Sequence, residues 1–198
     1  MSDRPFHHGN LRAVLLDQAE AVLRERGIDA LSLRELARAA GVSHGAPRSH
    51  FIDRGALLDA LAERGFGRLA DAIREAAARV PGDHARALRA AAAAYVSFAV
   101  REPALVDLMF AAKVDRPSEA VQRAAERLFA TMADLMSAGV AAGAYDAREV
   151  GRLTLVLSAT VQGIASLVVS RRITAAQSEA LIDDAITLFL TGAATAAP

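Results

Sequence analysis

No cysteine occurs in the 198 residues, which excludes a disulfide scaffold, a thiol redox switch and any cysteine-ligated metal or iron–sulfur sensor. No uninterrupted apolar run approaches the roughly 18 residues of a membrane span, and the N-terminal MSDRPFHHGNLR lacks the apolar core of a signal peptide. The expectation is a cytoplasmic chain with no membrane partner. An excess of one charge is also missing, since 23 basic and 23 acidic residues give a formal net charge of zero. A nucleic-acid partner would therefore need a local basic patch, which Arg12, Arg34, Arg38, Arg48 and Arg54 can supply. The signatures of catalysis are absent as well. There is no H-x-x-x-H or H-E-x-x-H pair, no glycine-rich phosphate loop and no G-x-S-x-G elbow. The tandem His7-His8 lies in an N-terminal arm that suits a surface or phosphate role better than metal binding. Neither an enzyme nor a cofactor is expected.

What is present is helix, with a hydrophobic content of 53% driven by alanine. The most informative stretch runs from Leu31 to Leu58, where short helices meet around a glycine turn. Ser32 and Glu35 form an S-x-x-E capping box, with Leu31 and Leu36 at the positions of a hydrophobic staple. Leu33, Leu36, Ala37 and Ala40 then follow at helical spacing up to Gly41, which can adopt the left-handed conformation that ends helices. Val42 can plug the angle between helices. Ser43 can cap a second helix running to about His50, and Asp53 a third beginning at Arg54.

This pattern reads as a helix-turn-helix, whose chemical partner is the DNA major groove. An ordinary helical hairpin is the alternative. The second helix argues against it, because Ser43, His44, Gly45, Arg48, Ser49 and His50 leave few apolar anchors for a core yet suit hydrogen bonding to base edges and phosphates. His44 and His50 can equally be plain surface residues. Pro47 removes one early intrahelical bond and crowds the carbonyl before it, so the first turn must adjust.

Leu33-Arg34-Glu35-Leu36-Ala37, Ala40-Gly41-Val42-Ser43 and His50-Phe51, followed by Asp53, Leu57 and Leu58, resemble the DNA-binding domain of TetR/AcrR-type transcriptional regulators. A narrower subgroup reads Ser-His-Gly/Ala-Ala-Pro through its recognition helix and opens with Gly-Asn-Leu-Arg, here Gly9 to Arg12. It carries Trp-His-Gly and Ala-Ser-Leu where this chain has Val161-Gln162-Gly163 and Ala165-Ser166-Leu167. The resemblance is strong over residues 1–70 and weaker, though collinear, beyond. Two departures stand out. Arg48 and Ser49 occupy the place of a Tyr and a polar residue, so the ring that rests on the DNA backbone is missing. Arg54-Gly55 replaces Lys and an acidic residue or Pro.

The resemblance implies an all-α fold, with a three-helix DNA-binding domain at residues 1–53. Residues 54–198 would hold a connecting helix and a C-terminal ligand-binding and dimerisation domain. It implies a repressor that binds a palindromic operator as a homodimer and is released by a small-molecule effector. The DNA-facing set would be Arg12, Ser32, Arg34, Ser43, His44, Gly45, Arg48, Ser49, His50 and Arg54. Arg48 could hold phosphate or reach O6 and N7 of a guanine, and Arg54 would keep a charge for phosphate. A helical adaptor or small-molecule carrier without operator binding is the alternative, suggested by the missing Tyr and the zero net charge.

Caps and breakers place helices at about 10–26, 54–80, 83–101, 103–112, 117–142, from 146 to the Arg171-Arg172 pair, and 174–192. Pro103 and Pro117 suit first turns, and Thr174 with Gln177 forms a second capping box. The last two helices carry apolar stripes, Leu153, Leu157, Val161, Ile164 and Val168 on one and Leu181, Ile182, Ile186 and Phe189 on the other. Leu155, Val156, Leu167 and Val169 lie off the first stripe, and a helix apolar on several sides should be buried on several sides. A homodimer with a four-helix interface satisfies this, as does a monomer with a thick core. Candidate lining for an effector pocket is Tyr95, Phe98, Met109, Phe110, Phe129, Met132 and Met136, with Thr160 and Gln162 as polar contacts. Few charges among them imply a largely apolar ligand.

Overall fold

A computed structural model describes residues 11–43, 45–114 and 117–195 of the chain. Eight α-helices and no strand occur among these residues. Helix α1 is Leu11–Arg26, α2 Leu33–Ala39, α3 Arg54–Ala78, α4 His84–Arg101, α5 Pro103–Val114, α6 Glu119–Ala141, α7 Val150–Val169 and α8 Ala175–Thr195. The expected start of α1 at Asn10, and His7, His8 and His44, lie outside the described residues.

Local chemistry accounts for most of these boundaries. The Glu35 amide donates to Ser32 Oγ at 3.1 Å. The reciprocal half of that box is replaced by ion pairs from the Glu35 carboxylate to Arg26 at 3.1 Å and Arg38 at 3.6 Å. Leu31 and Leu36, the staple pair, are both buried. Gly41 has φ 66°, and the bonds Gly41 N–H to Arg38 carbonyl and Val42 N–H to Ala37 carbonyl close α2 in a Schellman arrangement. Asp53 caps α3 through the Ala56 amide at 2.8 Å. The Thr174–Gln177 box forms in both directions, at 2.9 and 3.2 Å.

Two compact units divide the chain, and the division falls inside α3. The first comprises residues 1–65 and 104–122. In it α1 contacts α2, and α2 contacts a 3₁₀ turn at Ala46–Ser49. Arg64 of α3 pairs with Asp17 and Glu20 of α1. A Cβ on Gly65 would stand 2.6 Å from Met109 Sδ, so the missing side chain is what lets α5 seat against α3.

The second unit comprises residues 66–103 and 123–198. Its helices α4, α7 and α8 pack on one another, and the alanines Ala87, Ala91, Ala92 and Ala99 of α4 are buried. Within the single chain this packing turns most of the expected dimer face inward. Leu153, Leu157, Val161, Ile164, Ile182 and Ile186 are buried within their own unit, Val168 and Phe189 are half-buried, and only Leu181 is exposed. The strongest stripe of each helix serves the chain's own core. Of the off-stripe residues Leu167 is half-buried, while Leu155 is 63%, Val156 46% and Val169 43% exposed, as is Leu188 of α8 at 73%. Residues 147–169 are long and apolar enough to cross a membrane by length and composition, with a mean hydropathy of 1.6. Here α7 sets one face against α4 and α8.

One end of this unit is tied by a polar pair. Tyr145 donates its hydroxyl to the Met136 carbonyl at 3.0 Å and receives His84 Nε2 at 3.0 Å. Its ring meets Phe189 edge-on, with centroids 6.3 Å apart. Burial pushes the Tyr145 phenol up to about 12. A Cβ on Gly139 would collide with His84 Nε2 and the Tyr145 hydroxyl, so α6 leaves a slot for the pair. His84 Nδ1 is buried without a partner, and burial lowers the His84 pKa, against the opposing charge of Asp83.

A histidine whose folded pKa is depressed contributes stability above its unfolded value, about 6.5, which is lost as pH falls through the folded value. The melting temperature of the protein should therefore drop on acidification below about pH 6.5 by more than that of His84→Gln, as thermal denaturation across pH 7.5 to 5 would show. Gly139→Ala should destabilise the unit by about 1–3 kcal/mol through overpacking.

Candidate functional site

The segment after α2 departs from the expected helix. Residues 46–49 form a single 3₁₀ turn in place of an α-helix from Ser43 to His50. Pro47 has no N–H to donate and is buried, which keeps the turn short. Ser43 does not cap it with its side chain. The N-cap position is Gly45, and Ser43 contributes its backbone carbonyl, to the Ala46 amide.

The turn and the start of α2 bound a groove of about 420 Å³ lined by Leu33, Arg34, Gly45 and Arg48. Arg34 and Arg48 are exposed, and neither guanidinium makes an ion pair or side-chain hydrogen bond among the described residues. Ser32, at the foot of the same helix, accepts the Glu35 amide and keeps its own O–H for an outside acceptor. Helix N-termini with free donors of this kind suit a phosphate. His50 is exposed at the end of the turn. Arg12 is exposed, and its guanidinium carbon lies over the Phe51 ring, 5.5 Å from the centroid.

Not every expected contact stands free. Ser49 donates its hydroxyl to the Ala46 carbonyl at 2.7 Å. Arg54 turns back on the first unit, with Nε on the Leu31 carbonyl at 3.0 Å and Nη2 on the Ile28 carbonyl at 2.6 Å. Leu33, read from its spacing as part of the buried face, is half-buried and lines the groove. The sequence signal for that was its place beside Arg34 on the first turn of α2.

The expected effector-pocket residues are dispersed. Met109 is buried against Gly65 in the first unit, to which Phe110 also belongs. Phe98 is buried under the Arg68 guanidinium, 5.6 Å from its centroid, and Arg68 pairs with Glu102 at 3.0 Å. Met136 is fully buried and accepts the Tyr145 hydroxyl on both its carbonyl and Sδ. Phe129 is exposed, as are Gln162 and Thr160, whose hydroxyl bonds the Val156 carbonyl. Met132 is half-buried. Tyr95 is half-buried, and burial pushes its phenol up to about 12. A cavity of about 280 Å³ in the second unit is lined by none of these nine. Val80, Asp83, His84 and Leu135 are among its walls. Among the described residues no cluster of His, Asp or Glu is placed to hold a metal.

Residues 15–61 match the family described as bacterial regulatory proteins, tetR family. Residues 88–189 match the tetracyclin repressor-like C-terminal domain. No curated protein matches the chain. Among solved structures, a protein of unknown function from Rhodococcus sp. RHA1 is 40% identical with a TM-score of 0.89, covering 97% of this chain and 100% of that one. A bacterial regulatory protein in the tetR family from Rhodococcus RHA1 shares the fold at 18% identity and TM-score 0.70, over 93% of this chain and 97% of that one. PfmR, a TetR family transcriptional regulator from Thermus thermophilus, does so at 19% identity and TM-score 0.66, over 89% and 97%.

Because Ser32 satisfies an otherwise orphaned amide, Ser32→Ala should cost the first unit about 1 kcal/mol. Chemical denaturation followed by circular dichroism would measure it.

Proposed function

The chain belongs to the TetR family of DNA-binding transcriptional regulators, and from that premise we propose that it represses transcription by occupying a palindromic operator as a homodimer. The observation that carries this reading is the groove between α2 and the 3₁₀ turn, where Arg34 and Arg48 stand exposed beside Gly45. Among the described residues neither charge has an internal partner, and backbone phosphates supply an outside anion. In this reading Arg34, two residues past the Ser32 cap, takes a phosphate. Arg48, on the turn itself, takes a base edge, where a bidentate contact to guanine discriminates by about 1–3 kcal/mol.

The homodimer draws support from the face of α7 and α8 that the chain does not cover for itself. Leu155, Val156, Val169, Leu181 and Leu188 are exposed there. Gly163 lies on an exposed part of α7, with no atom within 4 Å of where its Cβ would be. Its own fold gives it no reason to be small, whereas close approach of a symmetry-related helix does. A twofold dimer reads half-sites about 34–36 Å apart, or multiples of that spacing.

Effector release works through α3, whose residues 54–65 belong to the first unit and 66–78 to the second. A small, largely apolar effector in the second unit shifts the equilibrium between two settings of α3 by its differential affinity for them. The protein acts in the cytoplasm, and its work is binding rather than catalysis.

Selection of sites from fragmented genomic DNA should recover a palindrome, bound at least roughly 10³-fold more tightly than bulk DNA. No enrichment would sink the operator reading. On the recovered site, Arg48→Ala should relax preference at one position, while Arg34→Ala should weaken all sequences and lower the salt slope by about one. Leu155→Glu with Leu188→Glu should convert the dimer to a helical monomer in light scattering.

A further inference from the structure

Arg54 opens α3, where its charge faces the positive end of its own helix macrodipole, an unfavourable place for a cation. The side chain is directed elsewhere. Nε donates to the Leu31 carbonyl at 3.0 Å and Nη2 to the Ile28 carbonyl at 2.6 Å. Those carbonyls belong to the 3₁₀ turn Ile28–Ala30 and the residue that closes it, and the Ile28 carbonyl also receives the Leu31 amide at 3.2 Å. A C-terminal end of this kind carries negative partial charge and suits a cation. Leu31 is buried, and the next residue is Ser32, the cap of α2.

We propose that Arg54 is a positioning residue of the operator-reading surface, a clamp that ties the start of α3 to the start of α2 through Nε and Nη2, and that this tie, rather than a phosphate contact from its remaining N–H groups, is its role. The proposal rests on the operator reading above. The residues on either side of Arg54 serve the same joint. Asp53 pins the first turn of α3 through the Ala56 amide. A Cβ on Gly55 would stand 3.2 Å from the Asp53 carboxylate, in tight contact with that cap. The clamp sets Ser32 and Arg34 in place relative to the chain leaving the 46–49 turn. Arginine's planar fork meets the two carbonyls with two different nitrogens, whereas lysine would have to reach both from one atom on a flexible stem.

Two measurements on Arg54→Ala and Arg54→Lys test the assignment, each normalised to the folded fraction. Without DNA, amide exchange at Leu31 to Leu33 should accelerate in both variants, and this holds whether or not an operator is ever found. Unchanged exchange would overturn the clamp. On the selected operator, the ratio of specific to non-specific affinity should fall about tenfold in both variants, as expected for losing charge-assisted bonds, with the salt slope unchanged. A loss of stability alone would leave that ratio per folded molecule where it was, and would also overturn the proposal. So would rescue by lysine together with a salt slope reduced by about one in the alanine variant, the signature of a phosphate contact. Failure of the wild-type protein to select any site would instead count against the regulator reading, while the exchange result still decides the clamp.

Discussion

An all-helical chain has no sheet ladder to set its register, so the geometry of this one rests on where each helix begins. The first amides of a helix have no partner inside it, and a short polar side chain placed just ahead of them fixes the starting residue. Ser32, Asp53, Asp83, Ser118 and Thr174 each accept an amide from three residues onward. With the starts fixed, the apolar positions point where they must. Leu36 and Ala37 of α2 turn inward, which leaves Arg34 outward beside the 46–49 turn.

Caps of this kind are legible in sequence because they act over three or four residues. Ser32 with Glu35, Thr174 with Gln177 and Gly41 after Ala40 could be read directly, and the helices they bound fall within a few residues of expectation. Contacts between distant residues leave no such trace. Nothing in the spacing announces that Arg54 would reach back to Leu31, that Gly65 exists to admit Met109, or that His84 would find Tyr145 sixty-one positions away. The apolar stripes of α7 were visible but ambiguous. Periodicity shows that a helix has two buried sides, and only packing decides that Leu153 and Leu157 serve the chain itself while Leu155 stays outside. Pro47 was visible too. Its effect was larger than a local adjustment, since four residues of 3₁₀ turn replace the helix that the polar run suggested.

Shortening that segment has a functional side. A recognition helix of ordinary length offers several base-facing positions over two turns. Here the described segment has one turn, so on the proposed operator reading few side chains would discriminate and the phosphate contacts around them would hold the docking angle. The clamp at Arg54, the cap at Ser32 and the contact of Arg12 with the Phe51 ring all tie together the frame that carries that turn. The second unit is organised differently, around alanine-lined helix contacts and a polar knot, His84 with Tyr145, in a slot that Gly139 leaves open.

Ser49 has its only hydrogen bound to the Ala46 carbonyl, and Arg48 beside it has only hydrogens to offer. Neighbouring positions of the turn thus offer opposite polarities to an outside partner. On the proposed operator reading, a base edge meeting Ser49 would bring a donor, the N4 amine of cytosine or the N6 amine of adenine, while one meeting Arg48 would bring acceptors, most fully the O6 and N7 of guanine. On that reading the turn would disfavour two guanines side by side, and its half-site alphabet would be narrower than the polar composition of the segment suggests.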